Sequence, residues 1–280
     1  MVGVFTIITI CITLGVSMVL PIAALIVYGL KQKGKGIWSA WLLGAAGFFV
    51  TQMVIRTSIL NVLAVKPEFM ELTNRHYVIS GFCFAFTAAL FEVAGRYAAA
   101  KLMSKKLTFE RGFAAGMGHG SIEAICIIGI TYINYLVYVL MINGGTFDNL
   151  VEQVGATGAD TASLTVLKDM FLNTHPAMFL LAGYERILTM LLQIALSLLV
   201  CYFVSRKKDW TGIGICLVCH CTVDFVAPMI NGLSTEYLGN KISTTTAYVL
   251  VFAFMTVVGA VSVFGICRIR KKWKIEDMEQ

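Results

Sequence analysis

Seven apolar stretches, each long enough to cross the hydrocarbon core of a bilayer, alternate with short polar loops along this chain. A spanning helix needs about 20 apolar residues, because lipid offers no partner to an unpaired backbone group. The stretches run from Val4 to Leu30, Ile37 to Val65, Tyr77 to Met103, Gly112 to Ile142, Ala177 to Val204, Gly212 to Gly232 and Ser243 to Cys267. With 58% hydrophobic and 14% charged residues, a soluble domain is excluded. The expected fold class is all-α: a polytopic membrane helix bundle of about seven transmembrane helices, with residues 1–280 forming one domain. The first stretch lacks a basic flank and a small-residue cleavage pattern, so it is expected to be a retained helix and not a signal peptide.

Lys and Arg alternate from loop to loop. One set holds Lys31, Lys33 and Lys35, then Lys101, Lys105, Lys106 and Arg111, then Arg206, Lys207 and Lys208, then Arg268, Arg270, Lys271, Lys272 and Lys274. The other set is poor in these residues; its longest member, 143–176, carries Asp148, Glu152, Asp160 and Asp169 against Lys168. Positive residues mark the cytoplasmic side, which predicts the N-terminus outside and the basic tail, 268–280, in the cytoplasm. This is the pattern of a multi-pass membrane protein, and a plasma membrane of the bacterial kind is its expected location. The net charge of +6 is spread over one membrane face, so it points to topology and anionic lipid and not to nucleic acid. In the loop 143–176, residues Asp160 to Leu172 are expected to form a short interfacial helix, acting either as a connector or as a gate.

The eight cysteines fall in or beside the apolar stretches, so disulfides are not expected. Cys216-Leu-Val-Cys219-His220 has the spacing of a haem attachment motif, but its position within a span favours small apolar helix residues.

Ionisable groups inside lipid are costly and point to function. Three pairs sit within spans, each four residues apart and so on one helix face: Glu92 with Arg96, His119 with Glu123, and His220 with Asp224. At 1.5 Å per residue from the basic ends of their spans, Glu92 and Glu123 lie about 16 Å deep, Arg96 and His119 about 10 Å, His220 about 12 Å and Asp224 about 18 Å. Spans three, four and six thus bring a carboxylate and two histidines to one layer. Such a set can take a proton from water and stabilise an oxyanion at a carbonyl. Arg96 would fix the geometry. The same Glu92, His119 and His220 form a possible zinc set, two imidazoles and a carboxylate with a position left for water. Against zinc stand the lack of an H-E-x-x-H sequence and the competition of Arg96 for the carboxylate, so no cofactor is favoured, with zinc second. Arg56 and Glu185 lie about 12 to 14 Å from the opposite ends of their spans and are expected to form a structural ion pair, with Arg186 as the alternative partner. Small residues from Gly112 to Gly120 thin the start of span four for close packing.

The segments F-E-V-A-G-R-Y at Phe91 to Tyr97, G-M-G-H-G-S-I-E at Gly116 to Glu123, Glu185-Arg186, and H-C-T-V-D-F at His220 to Phe225 resemble the YhfC-type branch of membrane proteases. That branch is related to the CAAX prenyl endopeptidases and to bacteriocin-processing proteins. The resemblance implies an intramembrane peptidase in which a Glu activates water and histidines assist, without an obligatory metal, although the branch is also described as metalloproteases. Glu92 and Arg96 match an E-E-x-x-x-R motif, His119 the His of F-x-x-x-H, and His220 with Asp224 the motif H-x-x-x-N/D. Phe91 replaces the first Glu, which leaves Glu92 or Glu123 as the base, and Ala115 replaces the Phe four residues before His119. The substrate is then a membrane-embedded or membrane-anchored peptide, and the core of the machinery spans 77–232. Two rival readings remain: an ion-coupled transporter, which also sets carboxylates and histidines midway across a bilayer, and a non-catalytic membrane scaffold.

Overall fold

The structure, a computed structural model, describes residues 1–158 and 160–278. Among these residues it is helical throughout, with no strand. Seven helices are long and apolar enough to cross a membrane: α1 (Val4–Lys31), α2 (Ile37–Ala64), α4 (Tyr77–Leu102), α5 (Phe109–Asn143), α8 (Met178–Ser205), α9 (Asp209–Gly232) and α10, which runs over Thr244–Met278. Three short α-helices, α3 (Pro67–Arg75), α6 (Phe147–Ala156) and α7 (Ala162–Asn173), and two 3-10 turns, Ser104–Lys106 and Glu236–Leu238, complete the described set. The protein is a multi-pass membrane protein, and outward side chains such as Phe5, Val62, Val218, Val257 and Phe264 are correspondingly exposed apolar groups.

The short helices add detail to the loops. Pro67 opens α3 in the first turn, where its missing N–H costs nothing, with Glu68 beside it at the positive end of the helix. The segment 143–176 holds two helices where one was expected. Phe147 and Phe171 are fully buried there, and Lys168 bonds Asp148 at 2.6 Å, so the segment is a packed element. The last helix extends well past Cys267 and carries the basic residues Arg268 to Lys274. Glu276 on that extension accepts Tyr202 Oη at 2.8 Å and pairs with Arg206 at 2.7 Å.

The chain forms two compact units, Met1–Ala23 with Glu123–Ile187, and Ala24–Ile122 with Leu188–Gln280. The first is knitted by Ile10, Tyr132, Val139, Phe171 and Phe179. Thr13 and Tyr132 hydroxyls both donate to the Phe179 carbonyl, each at 2.8 Å. An ion cluster completes it: Arg186 Nη1 donates to Glu123 Oε1 at 3.1 Å and Nη2 to Glu185 Oε1 at 2.6 Å.

The second unit is built on close helix contacts, where loss of side-chain bulk replaces the hydrophobic drive that lipid cannot supply. Gly44 of α2 lies on the Ala115 carbonyl of α5, and Gly118 of α5 lies on the Trp41 carbonyl of α2. Gly47 and Gly95 bring α2 and α4 together in the same way, each facing the other's carbonyl. Because Gly118 and Gly95 directly precede His119 and Arg96, these contacts hold both polar residues at fixed heights against α2. Gly116 and Gly112 admit α8 at Ile194 and Cys201. The apolar core of the unit runs through Ala40, Val93, Ala114, Leu196, Leu198 and Cys216.

Candidate functional site

Four helices of the second unit deliver polar side chains into this core. Glu92 and Arg96 come from α4, His119 from α5, Gln193 from α8 and His220 from α9, and all five are at least 95% buried. Burial of this kind is tolerated only if the groups satisfy one another. They do so around a single atom, Glu92 Oε2. His119 Nε2 lies 3.0 Å from it, Arg96 Nη2 3.1 Å, Gln193 Nε2 3.5 Å and His220 Nε2 3.6 Å.

The hydrogen-bond roles follow from charge. A guanidinium only donates, so the 3.5 Å contact between Arg96 Nη1 and His220 Nδ1 makes that ring nitrogen an acceptor. The neutral ring then carries its proton on Nε2, which faces Glu92 and also Asp224 Oδ2, at 3.4 Å. Arg96 Nη2 is shared with Gln193 Oε1, and the amide of Gln193 in turn reaches Glu92. Gln193 therefore accepts from the cation and donates to the anion of the same pair. His119 is oriented by Phe48, whose ring meets it edge-on at 5.1 Å, while its Nδ1 is buried and has no partner among the described residues.

The sequence-derived candidates are divided between the two units. Glu92, Arg96, His119, His220 and Asp224 lie in the second unit, and the contacts above bring them together. Glu123 follows His119 by one turn of α5 and belongs to the first unit, where its carboxylate takes Arg186. Arg56 and Glu185, expected to pair with each other, each have a partner of their own. Arg56 donates to Thr87 Oγ1 at 3.3 Å and the Phe84 carbonyl at 2.9 Å, and Glu185 holds Arg186, the alternative partner. Gln193 escaped the sequence reading because it is uncharged. Its signal was a polar stripe, Thr189, Gln193 and Ser197 at four-residue steps in an apolar helix, and all three are buried.

Asp224 is the open end of the cluster, with 30% of its side chain exposed. It lines a cavity of about 310 Å³ together with Tyr77, Ser80, Gly81, Pro228, Met229 and Tyr237. Tyr77 and Tyr237 stack there at 5.2 Å, and Tyr77 Oη donates to the Pro228 carbonyl at 3.1 Å. Pro228 has no N–H, so α9 forgoes one rung of its ladder beside this cavity. Asp224 thus borders both the buried cluster and a mostly apolar cavity.

The chain is 31% identical over 194 residues, 69% of its own length and 73% of the relative's, to the uncharacterized membrane protein YhfC of Bacillus subtilis (strain 168). No solved structure matches it. The family model described as YhfC intramembrane metalloprotease matches residues 16–240, a stretch that holds every member of the buried cluster. On these matches the chain belongs to the YhfC intramembrane metalloprotease family.

Proposed function

We propose that the protein hydrolyses a peptide bond of a membrane-anchored substrate, with Glu92 as the base that activates water. The observation carrying this reading is the convergence of His119 Nε2 and His220 Nε2 on Glu92 Oε2, at 3.0 and 3.6 Å, inside a bundle that excludes bulk water. Glu92 takes a proton from water as its oxygen adds to the substrate carbonyl carbon, and the carbonyl π electrons move to oxygen. The Nε2–H of His220 is the donor suited to that oxyanion. Breakdown of the tetrahedral intermediate breaks the C–N bond, and the proton held between Glu92 and His119 goes to the leaving nitrogen. Glu92 is preferred to Glu123 as the base because its Oε2 faces the Nε2 of both His119 and His220, at 3.0 and 3.6 Å. Arg96 and Gln193 are positioning residues, since each reaches the reaction only through Glu92 and His220. The vestibule beside Asp224 is the route for the peptide.

A second reading is favoured by the family's description and by the donor set itself. Two imidazoles and a carboxylate are ligands of catalytic zinc, and the partnerless buried Nδ1 of His119 leaves that ring's hydrogen bonding incomplete among the described residues. Glu92, His119 and His220 would hold the ion. When bound, it supplies polarisation of the carbonyl and a water acidic enough to attack at neutral pH. Arg96 would then orient Glu92 while competing for its charge.

Both readings are tested by incubating the purified full-length protein in nanodiscs with a library of membrane-anchored peptides, with and without chelator. Wild-type cleavage that disappears in H119A and H220A supports the site. Indifference to chelator favours glutamate alone, whereas inhibition reversed by Zn²⁺ favours the metal. Cleavage that survives both substitutions overturns the site.

A further inference from the structure

A second polar pocket lies apart from the buried cluster, at the ends of α2 and α5. It has a volume of about 550 Å³ and is lined by Lys35, Gly36, Ser39, Lys106, Glu110 and Arg111, with Gly34 and Thr108. We infer that this pocket is a binding site for the phosphate of an anionic lipid head group.

Three features point to phosphate. First, the charges are unequal: Lys35 is neutralised by Glu110, 2.7 Å away, whereas Lys106 and Arg111 make no ion pair among the described residues. Glu110 is the acidic group in the lining, and its bond to Lys35 occupies it. Second, the guanidinium of Arg111 is held in place. It packs beside Gly36, and its Nε is shut off from solvent without a partner among the described residues. Gly36 takes a positive φ of 70°, which opens the turn into α2. Third, α2 and α5 both begin at this pocket, so their first-turn N–H groups add partial positive charge to that of the side chains. Thr108 Oγ1 accepts the Arg111 N–H at 3.4 Å and closes the start of α5.

The position identifies the source. Every lining residue lies in a loop or a first turn at the end of a membrane-spanning helix, the level at which head-group phosphates lie. Trp38, one residue into α2, is 52% exposed, as suits an aromatic group at the membrane–water boundary. A lipid whose phosphate is held by Lys106 and Arg111 can lay its acyl chains along that face.

The test is native mass spectrometry of the full-length protein in detergent, titrated with dioleoylphosphatidylglycerol, dioleoylphosphatidylcholine or inorganic phosphate. Phosphatidylglycerol is expected to bind the wild type at least about 10-fold more tightly than phosphatidylcholine. Each cation near a lipid surface contributes roughly a fivefold effect, so K106Q loses about fivefold and K106Q/R111Q about 30-fold. K106Q guards against misfolding, because Lys106 is exposed. The control K271Q/K272Q removes two exposed charges elsewhere and retains binding. Equal binding of the two lipids, or equal losses in the control and the pocket variants, overturns the site. Inorganic phosphate that binds as tightly and blocks the lipid overturns the lipid as its ligand.

Discussion

His119 Nε2 stands 3.0 Å from Glu92 Oε2, joining α5 to α4 through two side chains that are both more than 90% buried. A carboxylate and an imidazole at this separation form an acid–base pair, and neither can be removed without leaving the other in an apolar interior. Glu92→Gln keeps the volume and an oxygen for Arg96 but cannot take a proton. Cleavage of a membrane-anchored reporter is expected to fall by about 10²–10⁴-fold. His119→Ala should give a loss of the same order, and the double variant little more, because groups that act as one unit are not additive. An E92Q enzyme retaining a tenth of the wild-type rate would remove Glu92 as the base.

Arg96 supplies the charge that keeps Glu92 inside the bundle, at 3.1 Å. Arg96→Met leaves the carboxylate uncompensated and is expected to cost about 3–5 kcal/mol, seen as a lower thermal unfolding midpoint in detergent. The double variant R96M/E92Q removes both charges and should recover most of that loss. A coupling near zero in this double-mutant cycle would show that the two residues do not depend on one another.

Much of this arrangement was legible in the sequence, for reasons that differ by residue. The seven spans were readable because membrane thickness imposes a length on apolar runs, and the fixed helical rise turned positions in those runs into depths. Glu92, His119 and His220 fell at one depth, and they meet. Depth carries no information on direction around a helix axis, however, and this limits the inference for Arg56 and Glu185. Their partners, the Phe84 carbonyl with Thr87 and the adjacent Arg186, were not selected by a match in height. Gln193 was hidden by its neutrality, and α6 by its length, since ten residues with mixed polarity resemble a loop. Pro67 followed by Glu68 marks the start of α3, a helix too short to stand out as a span.

The glycine contacts make a prediction about stability. A methyl group at Gly118 would overlap the Trp41 carbonyl, and one at Gly44 the Ala115 carbonyl, both of them backbone atoms that cannot swing aside. Gly118→Ala and Gly44→Ala should each lower stability by about 1–3 kcal/mol or more, measured by thermal unfolding of the purified protein. Gly214→Ala has no atom within 4 Å of the added carbon and should be neutral or slightly stabilising, since alanine favours the helix. G118A should also reduce cleavage more than its stability loss explains, because the neighbouring His119 moves with the backbone. If G118A and G214A behave alike, α2 and α5 do not depend on this contact.

The loop charges predict which face of the membrane the site is nearer. Lys31, Lys33 and Lys35 follow α1, Lys101 to Arg111 join α4 to α5, and Arg206 to Lys208 join α8 to α9, so all three groups fall on one side of seven crossings. The basic extension of α10 falls on that same side. The opposite side carries the 143–176 segment with its four acidic residues against Lys168. The positive-inside rule then predicts the N-terminus outside and α10's end in the cytoplasm, with Arg96 and His119 about 10 Å from the cytoplasmic ends of their helices. Green fluorescent protein fused after residue 278 should fluoresce, because it folds only in the cytoplasm, and alkaline phosphatase inserted at Gly145 should be active outside. The reverse pattern would place the site nearer the outer face and the vestibule of Tyr77 and Tyr237 on the cytoplasmic side.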